Sequence, residues 1–180
     1  GELEELICDR ATFIAQRPLV GPTTDRTAVI RQGPRGLVEN EDYVSALLRF
    51  AGGARGVLES SRSAVGEQNT YGFEVHGERG ALAWDFRRMG ELRVALDQDY
   101  LNAAYATRYV GPGDGELGVF QPGAGIALSF DDLKVIELHR LVQSIFTGQP
   151  QGATIEDALR AAELIGAMAR SAEQRAWVRV

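Results

Sequence analysis

The stretch Thr70 to Phe86, TYGFEVHGERGALAWDF, constrains the fold more than any other part of the chain. Tyr71, Phe73 and Val75 alternate with Gly72, Glu74 and His76. Leu82, Trp84 and Phe86 repeat the alternation against Ala81, Ala83 and Asp85. Period-two placement of aromatic and β-branched residues predicts two strands, each with one apolar face. Gly77 and Gly80 bracket Glu78 and Arg79, which predicts a tight return that draws on glycine's access to positive φ. A lone hairpin is barely stable in water, so this one requires sheet neighbours.

The flanking sequence supplies them. Leu3 to Phe13 reads as a first strand that can run on toward Arg17, ended by Pro18 and Gly21-Pro22-Thr23-Thr24. Asp25 to Asn40, charged and carrying Gly33, Pro34 and Gly36, reads as loop. Asp42 to Ala51 is a strand with Val44, Ala46, Leu48 and Phe50 on one face; Gly52-Gly53 turns the chain, and Ala54 to Ala64 returns. Glu91 to Leu96 follows the hairpin as a sixth strand. Strands joined by tight turns predict an antiparallel meander. Asp97 to Ala127, with Tyr100, Tyr105 and Tyr109 and many glycines, is irregular apart from a short strand expected over Tyr105 to Val110. A stretch of that kind in a compact domain marks a functional loop or a hidden element.

Two helices close the chain. Ser129 with Asp132 forms a capping pair for the first, whose stripe is Leu133, Ile136, Leu141, Ile145 and Phe146, with Gly148 as its stop. Thr154 with Asp157 repeats the arrangement for the second, whose stripe of Leu159, Ala162, Ile165, Gly166 and Ala169 is small enough for close packing. Trp177 to Val180 reads as a last short strand. The expected class is α+β: a largely antiparallel sheet of about six strands with two helices on one face.

Charge and cysteine content exclude several functions. At 180 residues with 44% hydrophobic and 24% charged, the chain reads as one globular domain, residues 1–180. A net charge of −6 argues against nucleic acid or an anionic membrane as partner. No run approaches the roughly 18 apolar residues of a membrane helix. A lone cysteine, Cys8, cannot pair internally, which makes a reducing, cytoplasmic location the expectation. The first residue, Gly1, reads as a trimmed or processed start, because Leu6 stands where a myristoylation motif requires Ser or Thr.

Formal motif matches carry little chemistry. Gly113-Asp114-Gly115-Glu116-Leu117-Gly118 fits G-x-G-x-x-G, but a dinucleotide site needs that loop to open a helix, and Pro122 blocks one. Asp114 and Glu116 would also repel phosphate. His76 and His139 are far apart in sequence and no metal set is expected. Asp131 and Asp132 are adjacent and are explained by the helix start.

FEVHGERGALAWDF resembles the strand–turn–strand in the C-terminal domain of the glucose–fructose oxidoreductase and inositol dehydrogenase family (the Gfo/Idh/MocA type). LLRFAGGARGVLESSRSAVG is similar to the two strands before it, ending in Ser61, Arg62 and Gly66, and GQPQGATIEDALRAAELIGAMARSAEQRAWVRV to the family's closing helix and last strand. The resemblance implies a dihydrodipicolinate-reductase-like C-terminal fold and a parent NAD(P)-dependent oxidoreductase acting on a sugar, polyol or related hydroxyl. It implies that the loop after the third strand lines the substrate pocket, with Arg62, Glu67 and Asn69 as candidate substrate-binding residues. A planar guanidinium suits hydroxyls or a carboxylate; the alternative is a surface arginine paired with an acid. The family's N-terminal dinucleotide domain, glycine fingerprint and Glu-Lys-Pro lysine have no counterpart in this sequence, whose only lysine is Lys134. No catalytic, cofactor-binding or metal residues are therefore assigned. NAD or NADP would be bound in the parent, and the chain alone is expected to be inactive. A sheet with both helices on one side leaves a mixed face, with Ser45, Leu47, Arg49, Glu74 and His76 among its members. That face is expected to make a two-fold homodimer burying roughly 1,600 Å² or more. The competing class is a free-standing, non-enzymatic sheet module that binds a partner or only dimerises.

Overall fold

The computed structural model describes residues 1–21, 30–96 and 101–180. The expected turn at Pro22-Thr23-Thr24, the first part of the Asp25–Asn40 loop, and Tyr100 lie outside the described residues. In chain order the strands are β1 (Leu3–Ala11), β2 (Gln16–Pro18), β3 (Arg35–Leu37), β4 (Tyr43–Phe50), β5 (Arg55–Ser61), β6 (Gly72–Gly77), β7 (Gly80–Asp85), β8 (Glu91–Ala95), β9 (Ala106–Tyr109) and β10 (Val178–Arg179). The helices are α1 (Phe130–Thr147) and α2 (Ile155–Gln174). The class is α+β, and every strand pairing among the described residues is antiparallel. Where the sequence predicts a sheet of about six strands, these strands lie in two four-stranded sheets and a two-stranded ribbon. The helices divide with them, as the chain forms two compact units: Gly1–Val65 with Ile155–Val180, and Gly66–Thr154.

The first unit is a sheet in the order β10-β1-β4-β5 covered on one face by α2. Register puts Leu6 opposite Leu48, Cys8 opposite Ala46, and Ala46 opposite Leu58. Alternation therefore sends these residues to the same side. They meet Leu164, Ala167 and Met168 of α2. Leu6 and Ala167 are fully buried, and burying a leucine contributes about 1.5–3 kcal/mol. The stripe expected from the sequence, Leu159, Ala162, Ile165, Gly166 and Ala169, is not the face that packs. Leu159, Ala162 and Ile165 are exposed, and α2 turns Leu164, Ala167, Met168 and Ala172 to the sheet, because the tertiary contact and not the helical period alone selects the face. Ser171 on that face, also fully buried, accepts the Cys8 amide at 2.9 Å and donates to the Ala176 carbonyl at 2.6 Å. One hydroxyl thus ties helix, first strand and the turn into β10. Burial pushes the Cys8 thiol pKa up, which keeps it an unreactive core residue. On the opposite face Ile7 pairs with Leu47 and Leu47 with Val57, and Leu47 and Val57 are 51% and 77% exposed. Arg49 there bonds Glu5 at 2.6 Å and lies 4.0 Å over the Trp177 ring.

The β2–β3 ribbon corrects the reading of Asp25–Asn40 as loop throughout. Gln16 pairs with Leu37 and Pro18 with Arg35. Strands this short, one holding a proline and the other a glycine, carry no periodicity, so the signal was below what alternation can show.

The second unit holds the sheet β6-β7-β8-β9 and helix α1. The hairpin register follows the alternation: Phe73 faces Trp84 and Val75 faces Leu82. The turn differs from expectation in one respect. Neither Gly77 nor Gly80 has positive φ. Gly80 is required instead by close approach, since a Cβ there would stand 2.6 Å from the Ala95 carbonyl of β8. The short strand expected near Tyr105 is β9, paired to β8. α1 begins in the predicted capping box, with Ser129 N–H donating to Asp132 at 2.8 Å, and ends at Gly148 with φ 65°. That bond holds the Asp132 carboxyl below its usual pKa. The G-x-G-x-x-G match falls in a 3₁₀ turn, Gly115–Phe120, that leads into Pro122 and opens no α-helix. This turn contacts α1 through a Glu116–Arg140 ion pair and a Phe120–His139 ring contact at 5.4 Å.

Candidate functional site

The three residues singled out by the sequence divide between the units, Arg62 in the first and Glu67 and Asn69 in the second. In the first unit a polar group is built where β1 ends, β4 begins and β5 ends. Asp42 immediately precedes β4, and its side chain has no solvent exposure. Its amide donates to the Ala11 carbonyl at 2.8 Å, and its carbonyl accepts the Arg62 amide at 2.9 Å. Its carboxylate accepts the Ile14 amide at 2.8 Å and the Arg17 guanidinium at 2.7 Å. The Ile14 amide, followed by the charge and hydrogen bond of Arg17, holds the Asp42 carboxyl below its usual pKa. A buried carboxylate requires such partners, because an unpaired one is strongly destabilising.

Arg62 lies one residue beyond β5 and is exposed. Among the described residues its guanidinium has no hydrogen bond and no ion pair, unlike Arg10, Arg17, Arg49, Arg87, Arg88, Arg140 and Arg160, which all have carboxylate partners. In this it resembles Arg79, Arg108 and Arg175, which likewise have no carboxylate partner among the described residues. Arg62 feels the Asp42 charge without touching it.

In the second unit Glu67 is engaged by its own neighbours. It accepts the Thr70 hydroxyl and pairs with Arg87 at 3.5 Å. Arg87 in turn grips Asp85 with its Nε and a terminal nitrogen, which raises the arginine pKa and lowers that of the aspartate. Asn69 has φ 48°, a left-handed conformation that asparagine tolerates better than most residues. Beside this group runs a ladder of rings: Phe73–Trp84, Tyr71–Trp84, Tyr71–Phe86 and Phe86–Phe130, with centroids 5.7–6.4 Å apart. Tyr71 is 63% exposed. Apolar ring faces next to carboxylate and guanidinium groups are the combination that hydroxylated rings use, one surface for C–H faces and one for hydroxyls.

Asp42, Arg17, Asp85 and Arg87 are absent from the sequence-derived candidates. Asp85 and Arg87 stand two apart where a strand passes into a 3₁₀ turn, a pattern open to reading as a local cap. Asp42 and Arg17 are 25 residues apart with no local signal linking them. Lys134 pairs with Glu137 one helical turn away at 2.5 Å, an ordinary helix-surface contact. Among the described residues no group of three or more His, Cys, Asp or Glu side chains is arranged to hold a metal ion, and no helix is long and apolar enough to cross a membrane.

Comparison with known proteins decides the family. Residues 15–180 match the family model described as the C-terminal alpha/beta domain of the Gfo/Idh/MocA oxidoreductase family. The chain belongs to this family. Over its whole length it is 31% identical to levoglucosan dehydrogenase of Pseudarthrobacter phenanthrenivorans, covering 47% of that protein. It is 31% identical to inositol 2-dehydrogenase of Rhizobium meliloti over 136 residues, which are 69% of this chain and 39% of that protein. Among solved structures it is similar to levoglucosan dehydrogenase in complex with NADH and L-sorbose, with a TM-score of 0.87 and 29% identity over 100% of this chain and 45% of that one. The chain spans about half the length or less of the curated relatives it matches.

Proposed function

We propose that this chain, residues 1–180, is the substrate-binding and oligomerisation domain of an NAD-dependent oxidoreductase that moves hydride between nicotinamide and a sugar or polyol carbon. The observation that carries the reading is its likeness, along its full length, to a protein described in complex with NADH and L-sorbose. The share of that relative left uncovered leaves room for a cofactor-binding half contributed by further sequence of the parent. Within this chain the unpaired Arg62 guanidinium, Glu67 and Asn69 are the groups we assign to substrate hydroxyls. Hydride transfer requires a cofactor held and oriented by protein, and no residue of this chain is assigned that role. A cytoplasmic location belongs to the same reading, supported by the lone buried thiol of Cys8.

The test is NAD⁺ reduction by the complete protein with levoglucosan and with myo-inositol, and NADH oxidation with L-sorbose. Turnover of at least one is expected. The 180-residue chain alone should neither bind nicotinamide cofactor at micromolar concentration nor turn over. Failure of the complete protein on all three would favour the competing reading, a free-standing sheet module with no enzymatic role.

A homodimer through the open sheet face is the second part of the proposal. Leu47 and Val57 stand exposed as cross-strand neighbours on the face of the first unit that α2 does not cover. They are flanked by Arg49, Ser45 and Glu59. A mixed face of this kind suits a two-fold contact. Sedimentation at low micromolar concentration should give a dimer; a clean monomer would remove this part.

A further inference from the structure

Asp42 makes four hydrogen bonds to four residues: Ala11 and Arg62 at strand ends of the first sheet, and Ile14 and Arg17 in the segment that leads from β1 through β2. Its backbone links Ala11 at the end of β1 to Arg62 at the end of β5. Its carboxylate links Ile14 and Arg17. Beyond the last pair, Tyr43 with Ser61, the Arg62 amide donates to the Asp42 carbonyl while the Asp42 amide turns to Ala11 of β1. The Arg62 charge is near enough to act on the Asp42 carboxylate, on which the Arg17 guanidinium is already seated.

The charges at this corner decide what the carboxylate does. Arg17 and Arg62 are both permanent cations. With Asp42 ionised between them, Arg17 is neutralised and Arg62 stands beside a balanced pair. Without that charge, two guanidiniums of like sign remain at one corner. The more exposed one, Arg62, is free to move away into solvent.

We propose that Asp42 is the positioning residue for Arg62, holding its guanidinium at the strand end by neutralising Arg17 and by fixing the backbone on both sides. This rests on the assignment of Arg62 to substrate binding, and the experiment separates the two. The first arm uses the 180-residue chain and reads the Arg62 Nε–Hε resonance by NMR. Asp42→Asn should shift that resonance and the Ile14 amide while leaving the Leu6, Cys8 and Ala46 amides in place. Arg17→Gln added to Asp42→Asn removes the like-charge repulsion and should move the Arg62 resonance back toward its original position. An Arg62 resonance unmoved by Asp42→Asn, or unrestored by the added change, overturns the proposal. If Asp42→Asn does not fold, Arg17→Gln alone is used: it leaves the Asp42 charge unpaired, and an Arg62 resonance that does not respond is equally fatal.

The second arm uses the complete protein and whichever of levoglucosan, L-sorbose and myo-inositol it turns over. Asp42→Asn should raise KM about fivefold, within the range of coupling between neighbouring residues. It should add nothing in a protein already carrying Arg62→Ala. A further loss in that background would mean that Asp42 acts by a route other than Arg62 and overturns the proposal. If Arg62→Ala leaves KM unchanged while the resonance responds as described, the positioning holds and the assignment of Arg62 to substrate fails.

Discussion

The two units are built from similar four-stranded sheets and treat their apolar residues differently. In the first, α2 seals one face, and Leu6, Cys8, Ala46 and Ala167 form a closed core around it. In the second, the residues buried in the strands are the small Ala83 and Ala95, and every residue of β6 is exposed, including Phe73 and Val75. α1 likewise exposes Val135, Leu138, Leu141, Ile145 and Phe146. The first unit has a closed core on one face of its sheet, while Leu47 and Val57 across the sheet and Ile155, Leu159 and Ile165 of α2 are exposed. The second closes no comparable core and keeps ring faces and helix side chains open, a surface suited to contact with other molecules. The closed core is thus distributed unevenly along one chain.

The sharpest way to break this contrast is to attack the closed core. Leu6→Ala should cost about 2–5 kcal/mol and strip amide-exchange protection from β1, β4 and α2. If protection in β7 and β8 falls as far as in β1, the units unfold together and the contrast is one of packing alone. Ser171→Ala comes next, at about 1–3 kcal/mol, because it leaves the Cys8 amide and the Ala176 carbonyl without their buried partner. Ser129→Ala tests the second unit. Loss of a capping box should cost about 0.5–2 kcal/mol, confined to α1.

Acid sharpens the same comparison. Asp42 in the first unit and Asp132 in the second both have folded pKa values below the usual 3.8. A carboxylate depressed on folding contributes stability that is complete above the unfolded value and is lost as pH falls through the folded one. Stability of both units, followed by circular dichroism, should therefore decline as pH drops below about 4. Asp132→Asn should flatten that decline for α1 alone.

The smallest expected stability effect carries the largest functional weight. Arg62→Ala should change stability by less than about 0.5 kcal/mol, since its side chain has no partner among the described residues. Asn69→Ala, by contrast, should cost about 1 kcal/mol, because alanine tolerates the left-handed φ of 48° less well than asparagine. Glu67→Ala should lie in the range of Arg62→Ala because its ion pair is exposed. In the complete protein each should lower kcat/KM by about tenfold. Equal losses of stability and activity would return the three residues to a structural role.

The sequence by itself determined what rests on local periodicity and local chemistry. The alternation from Tyr71 to Phe86 specified the hairpin and which residues of each strand share a face; the register, Phe73 opposite Trp84 and Val75 opposite Leu82, came from the structure. The Ser129–Asp132 box and Gly148 set both ends of α1, since caps act within one turn. Tertiary structure alone decided how the strands were shared between two sheets, that Gly80 serves close approach and not a positive φ, and that α2 belongs with β1. It also decided that Arg62 is among the arginines with no carboxylate partner among the described residues, while Arg17 has one. Arg17 finds Asp42 across 25 residues, and Ser171 finds Cys8 across 163. Such partners have no signature in local spacing, because the free energy that joins them comes from burial and hydrogen bonding once the sheet has formed.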